Sequence, residues 1–484
     1  MSYKHENLFS ERSKARITRH FWHSASLSGD EKPHPNPIGL VGGMPNHDFF
    51  PVNGIRIGIS EKPFPKGYHD EVAVTNEPTE EHSFLIPQVS DDPTELDLKT
   101  AFQYGNTAGA TSLLKFTQDF VKTVWKPGYE DWSTLMTLGG SNGIDKTFDS
   151  FIERGDTVLV EEFSFIPILN SLANLGGVPV PLKLDFGPDK TFSFVENLKY
   201  LLENWGSLHP DKKKPKLLYT IPTGQNPLGV AQTVEHKKQV LQLADEHDFI
   251  ILEDEPYAYL NFQKHTETPV FDLTPEQFIN SLHGSYISLD KTGRVVRTET
   301  FSKVFAPGLR LGFIVAHKSV VESCTKHSDV SSRAPSGVSQ IFVNNTIRYL
   351  GGIDGWLKWI IKVRNEYLVR KNAFYKALIA TEAAKKGYLK PLDPECGMFI
   401  SSIYDFGKDK NQEATEILKT RFLVNGVGVV FGSGMAVDSE FSKDRSNFLR
   451  TAICYTKNTD DLVEAASRIS KSILDTAEKL GLAV

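Results

Sequence analysis

Apolar residues recur at helical spacing from about Thr107, through Leu113, Leu114, Phe116, Phe120 and Val121, which predicts an amphipathic helix there. Short β-branched apolar runs then alternate with helical stretches. The runs are Thr157–Val160, Leu217–Ile221, Phe249–Leu252, Val295–Thr298 and Leu311–Val315, and helical patterns such as Val234–Glu246 separate several of them. Alternation of this kind predicts an α/β fold with a mostly parallel sheet. Near residue 350 the pattern changes. Trp356 to Ala380 reads as one long amphipathic helix joining two domains. Beyond it lie strand-like runs at Gly397–Ile403, Val427–Phe431 and Phe448–Ile453, with helical patterns at Gln412–Val424 and Asp460–Lys479. These predict a smaller α+β domain. Before residue 100, prolines and glycines crowd the stretch from Pro33 to Pro65, and the acidic stretch 80–98 reads as a surface loop. The expected division is an N-terminal arm with loops over 1–100, partly joining the small domain, a large domain over 101–350, and a small C-terminal domain over 351–484.

Composition narrows the class without naming a function. Hydrophobic residues make up 40% and charged residues 24%, as in ordinary globular proteins, and the formal net charge is −6. That balance gives no sign of a nucleic-acid or anionic-membrane partner. Cys324, Cys396 and Cys454 are sparse and obey no metal-ligand spacing, and the histidines form no HxxxH pair, so no metal is expected. No apolar run approaches the ~18 residues that span a bilayer. A cytoplasmic location is the expectation.

In an open α/β sheet, ligands bind beyond the carboxyl ends of the strands. The residues just past each predicted strand are therefore informative. Phe249–Leu252 runs into Glu253-Asp254-Glu255-Pro256-Tyr257, Leu217–Ile221 into Pro-Thr-Gly-Gln-Asn226-Pro227, and Val295–Thr298 into Glu299-Thr300-Phe301-Ser302-Lys303. An acid, an amide and a lysine thus leave one edge of one sheet. Pyridoxal-phosphate (PLP) chemistry needs such a set. A lysine forms a Schiff base with the aldehyde, and a carboxylate keeps the pyridine nitrogen protonated so that the ring draws electrons. Asn226 and Tyr257 are candidates for the ring's phenolic oxygen. Leu138-Gly-Gly-Ser141-Asn142-Gly143 precedes a helical stretch and offers backbone N–H groups and a hydroxyl to a phosphate; it does not fit the dinucleotide pattern GxGxxG. Thr300, Ser302 and Arg310 flank the lysine and can complete the cup.

Thr300-Phe-Ser-Lys303-Val-Phe-Ala-Pro-Gly-Leu-Arg310-Leu-Gly resembles the cofactor-lysine motif of fold-type I aminotransferases. Tyr219 to Pro227 and Glu253 to Tyr257 resemble two further signatures, and the likeness runs from Gly42 to Arg450. Within that family the chain is most similar to the fungal aromatic amino acid aminotransferases of the broad-specificity, catabolic type, on Gly42-Gly-Met-Pro-Asn46, Glu161-Glu-Phe-Ser-Phe165 and Arg333-Ala-Pro-Ser-Gly337. Relatives act on 2-aminoadipate and kynurenine, and a non-catalytic PLP-fold sensor is a further alternative. The resemblance implies ping-pong transamination of aromatic L-amino acids, with 2-oxoglutarate or an aromatic 2-oxo acid as acceptor and Lys303 shuttling the proton. It implies that Asp254 binds the pyridine nitrogen, Asn226 and Tyr257 the phenolic oxygen, and Ser141, Asn142, Thr300, Ser302 and Arg310 the phosphate. Arg450 would grip the substrate α-carboxylate, and Asn226 is a substrate-binding candidate as well. Tyr104 would reach the phosphate across a homodimer interface, and the segment around Gly43 would adapt to the substrate. Phe165 stands where many relatives stack a tyrosine on the ring, and Asn142 where some have glutamine. Phe49, Phe50 and Tyr68 are expected as packing residues of the arm, Cys396 and Cys454 as small buried groups, and Trp356 and Trp359 as packing.

Overall fold

The computed structural model describes residues 4–18, 30–38, 40, 43–59, 82–186 and 193–483. Its first strands, β1 (Gly54–Gly58) and β2 (Ser83–Pro87), pair antiparallel. The stretch expected as a surface loop over 80–98 is therefore partly a strand. The reason is alternation: Leu85 is exposed, while Ile86 is buried with Ile57, Leu96, Leu98 and Ile341 of the Gly337–Leu350 helix. Asn345 of that helix bonds both the N–H and the C=O of Leu96, which ties the acidic stretch down. Residues 4–16 also dock on the main body. Phe9 stacks on Phe151 at 5.0 Å, and Arg12 donates to the carbonyls of Asp149 and Ile152, where the Gly140–Phe151 helix ends.

The central sheet has seven strands: β3 (Trp132–Thr137), β4 (Thr157–Glu161), β5 (Val178–Leu182), β6 (Pro215–Thr220), β7 (Ile250–Asp254), β8 (Val295–Thr300) and β9 (Gly312–His317). Their order is β3-β9-β8-β7-β6-β4-β5, and every pair is parallel except those made by β9. β4, β7 and β9 are buried at every position, as strands covered on both faces must be, so they read as continuous apolar runs. The mostly parallel α/β fold expected from the pattern is the fold observed. β3 and β5 have no counterpart among the expected runs; serine and threonines interrupt β3, and prolines alternate through β5.

A second sheet of four antiparallel strands comes later in the chain: β10 (Leu389–Pro391), β11 (Phe399–Tyr404), β12 (Val430–Phe431) and β13 (Phe448–Ala452), in the order β10-β11-β13-β12. The helices Asn411–Val424 and Thr459–Lys479 share its core. The long helix Gly352–Ala380 links the two regions. Trp356, Leu357 and Ile360 pack in the core of the large sheet, and Phe374 and Leu378 in that of the small one. Trp356 and Trp359 pack as expected, with the Trp359 indole donating to the Val304 carbonyl at 2.7 Å. Phe49 departs from its packing expectation and is 81% exposed. Gly42 and Tyr68 lie outside the described residues.

Candidate active site

Because β3, β4, β6, β7 and β8 run the same way, Thr137, Glu161, Thr220, Asp254 and Thr300 end at one edge of the sheet. The functional candidates lie at or just past those ends. Asp254 is buried. Its Oδ2 accepts from the Tyr219 hydroxyl at 2.7 Å and its Oδ1 from the Thr298 hydroxyl at 3.0 Å. Burial pushes its pKa up, and the two hydroxyls and the Lys303 ammonium pull it back only in part. Lys303 closes a short 3-10 turn, Phe301–Lys303, which Thr300 caps by accepting from the Ser302 N–H at 3.2 Å. The hydroxyl of Thr300 also donates to that of Ser302 at 2.8 Å.

On the β3 side the chain turns through Gly139 and enters the Gly140–Phe151 helix, whose N-terminus has no side-chain cap. Its first amides have no partner within the helix and point out at the sheet edge. Gly139 has φ +81°, a left-handed backbone that favours glycine, and the Arg310 guanidinium packs against its Cα where a Cβ would come within 2.6 Å. Arg310 itself has φ +48° and reaches the Leu138 carbonyl at 3.4 Å. Ser141 is exposed at the helix start. Asn142 spends its side-chain oxygen on the Leu138 N–H at 3.1 Å, so it holds the turn.

The third wall comes from the small sheet. Arg450 on β13 donates to Asn226 Oδ1 at 3.0 Å. Its guanidinium lies 4.3 Å from the centre of the Phe399 ring, and Tyr257 packs edge-on against that ring at 5.8 Å. The Arg450 Nε is buried with no partner among the described residues. Burial, and after it the Asp254 charge, raises the Tyr257 hydroxyl pKa, so this group stays a proton donor. Cys396 is buried, whereas Cys454 is half-buried close enough to Lys303 and Arg450 to feel their charges.

The structure thus brings together Lys303, Asp254, Tyr257, Asn226 and Arg450, with Thr300, Ser302, Arg310 and the 139–142 turn beside them. Phe165 is half-buried against the sheet core. Two candidates stand apart within this chain: Tyr104 is 77% exposed, and Gly43 has open space around it. Sequence reasoning missed Tyr219, Thr298 and Phe399. The first two were within reach, because neighbouring parallel strands end together and hydroxyls near those ends must flank the acid. Phe399 needed the pairing of β11 with β13, which no local pattern carries.

Residues 74–469 match the family described as aminotransferase class I and II. Aromatic amino acid aminotransferase 2 of Saccharomyces cerevisiae is 37% identical over 96% of this chain and 94% of its own. The crystal structure of the aromatic aminotransferase Aro9 from C. albicans superposes with a TM-score of 0.91, at 39% identity, over 99% of both chains. A Pyrococcus horikoshii kynurenine aminotransferase, solved in complex with PMP, gives a TM-score of 0.64 at 27% identity over 78% of this chain and 83% of its own. The chain belongs to the class I and II aminotransferase family.

Proposed function

We propose that this aminotransferase works on aromatic L-amino acids with PLP as cofactor, passing the amino group to 2-oxoglutarate or an aromatic 2-oxo acid in ping-pong fashion. The observation that carries this reading is the pairing of Asp254, a buried carboxylate bonded only to neutral hydroxyls, with Lys303 at the same sheet edge. A protonated ring nitrogen would supply the cation that Asp254 lacks. The uncapped helix start at Gly140, the Thr300 and Ser302 hydroxyls and Arg310 suit a phosphate. When bound, PLP supplies an aldehyde that takes up the amino group and a ring that draws electrons away from the amino acid's Cα. The protein's part is positional. Tyr257 and Asn226 would hold the phenolic oxygen, Arg450 would grip the substrate α-carboxylate, and Lys303 Nζ would remove and return the proton at Cα. The aromatic preference rests on the relatives' activities, and the rings of Phe399 and Tyr257 beside Arg450 are compatible with it.

The direct test measures phenylpyruvate and glutamate formation from L-phenylalanine and 2-oxoglutarate, in the wild type and in Arg450→Lys. Lysine keeps the charge but not the two-pronged geometry. The variant is expected to lose about 2–4 kcal/mol of kcat/KM for both substrates. A loss confined to 2-oxoglutarate would mean that Arg450 reads the distal carboxylate instead.

The same reading includes a cytoplasmic homodimer with domains divided near residues 100 and 350. It also has Tyr104 completing the partner's phosphate cup and the Gly43 segment adapting to the substrate. Ile38, Leu40, Phe49 and Tyr104 are all strongly exposed in the single chain, which supports a covering partner. Mixing two inactive variants, Tyr104→Ala and Lys303→Ala, should restore part of the activity in heterodimers; an active monomer in sedimentation would end this proposal.

A further inference from the structure

The turn that carries Asn226 is held by a buried carboxylate. Glu161 ends β4 with no exposed surface. Its Oε1 accepts from the Thr220 hydroxyl at 2.6 Å, and its Oε2 from Gln225 Nε2 at 3.0 Å and the Ile221 N–H at 3.3 Å. Gln225 Nε2 donates as well to the Phe163 carbonyl at 2.7 Å, while its Oε1 accepts from the Leu228 N–H at 3.0 Å. One glutamine thereby ties the strand-end acid, the segment after β4 and the far side of the turn together. The residue between these anchors is Asn226, which accepts from Arg450. Gln232 closes the other side, donating to Thr220 Oγ1 at 2.8 Å and accepting from the Tyr286 hydroxyl at 2.6 Å.

We propose that Glu161, acting through Gln225, is a positioning residue for carboxylate recognition: it fixes the turn that sets Asn226 and, through Asn226, the aim of the Arg450 guanidinium. The proposal rests on the reading that Arg450 grips the substrate carboxylate. Every group bonded to Glu161 is a donor, an arrangement that suits an acceptor-only, ionised carboxylate. No cation pairs with it among the described residues. On its own face of the sheet lie Glu253, the register partner of Thr220, and Tyr286, whose hydroxyl burial keeps protonated with the Glu253 and Glu161 charges adding to it; Asp254 adds like charge from the opposite face. Burial, with Asp254 adding to it, raises the Glu161 pKa to about 7 against the pull of Thr220, Gln225 and the Ile221 amide. A proton on Glu161 turns the Thr220 hydroxyl into an acceptor and removes the charge that Gln225 and the Ile221 amide hold, so the turn loosens as pH falls through that value.

Competitive inhibition of the holoenzyme by 3-phenylpropanoate, a carboxylate with no amino group to transfer, reads the grip without the chemistry. Glu161→Gln should raise its inhibition constant about tenfold, the worth of one hydrogen bond to a charged group. The KM for phenylalanine should rise with it, and kcat should fall less. Gln225→Leu should do the same, with the double variant no worse than the worse single one. In the wild type, inhibition should weaken as pH drops from about 8 to about 6, and in Glu161→Gln this slope should flatten. The cofactor's absorbance, titrated alongside, separates any pH change common to both proteins. Arg450→Lys is the control. If it leaves inhibition unchanged, the carboxylate reading itself falls. If it weakens inhibition while both Glu161→Gln and Gln225→Leu bind like wild type, the positioning role is overturned and the reading stands. Should Glu161→Gln fail to fold, Gln225→Leu decides alone.

Discussion

Consecutive residues of β7 handle buried charge in opposite ways. Glu253 pairs in register with Arg297 of β8, and Asp254 with Thr298, so the two acids face opposite sides of the sheet. On the first side the charges are matched internally. Arg297, fully buried, lies 3.2 Å from Glu253, 3.8 Å from Glu255 and 2.7 Å from Glu299, and its guanidinium stacks on Trp125 at 4.1 Å. Lys237 adds a second buried cation, tied to the carbonyls of His283 and Gly284, and burial holds the Glu255 carboxyl well above its usual range. On the other side Asp254 has two hydroxyl donors and no bonded cation. The Arg297 cluster holds the fold with charges that are all protein; Asp254, uncountered at the sheet edge near Lys303, marks where a ligand supplies the charge.

The contrast gives opposite expectations for activity and stability. Asp254→Ala should cut turnover by more than about 10³-fold, roughly 4 kcal/mol of barrier. Yet it should leave the cofactor-free protein as stable as wild type or more so, because it removes a carboxylate that burial disfavours. The same carboxylate fixes the pH sense. The folded pKa of Asp254 is raised, so the wild type binds its proton more tightly folded than unfolded. Stability is lost as pH rises from the unfolded value through the folded one, and Asp254→Ala should lack that decline. Melting curves of the cofactor-free proteins across the acid range check this, and a variant that melts well below wild type at neutral pH would break the contrast. Arg297→Met should behave in reverse. It strands Glu253 and Glu299 without their buried partner and should cost about 3–5 kcal/mol of stability in denaturant titration. Whatever folded protein remains should keep most of its activity per molecule.

How much of this was legible in the sequence differs between the two sides. Asp254, Asn226 and Lys303 stand out because each comes just after an apolar strand, and strand ends in a parallel sheet converge. The Arg297 cluster stays hidden, since Glu253, Glu255 and Glu299 look like turn residues until the register aligns them on one cation. Local pattern also failed where tertiary contacts decide. Prolines hid β5, polar residues hid β3, and β2 lay inside an acidic stretch that only Ile341 and Asn345 explain. The division of labour at the phosphate turn was likewise out of reach, because Asn142 bonds the backbone just before its own helix.

The smallest effect falls on the hydroxyls that make Asp254 tolerable. Tyr219 donates to Asp254 at 2.7 Å, and burial together with the Asp254 charge keeps this phenol protonated at every working pH. It therefore acts as a fixed donor that favours the ionised carboxylate. Tyr219→Phe keeps the ring and removes the donor, while Thr298 still holds the other oxygen at 3.0 Å. A hydrogen bond to a buried charge is worth about 1.5–3 kcal/mol, so kcat/KM should fall on the order of ten- to a hundredfold. The direction with pH is fixed by the same bond. Without Tyr219 the pKa of Asp254 moves further up, and between the old and new values the variant is protonated where the wild type is not. The loss should therefore deepen toward acid and shrink as pH rises, with the acid limb of the pH–rate profile shifted upward. A uniform loss at all pH values, with the acid limb unmoved, would mean that Tyr219 only fills space and that Thr298 alone keeps Asp254 ionised.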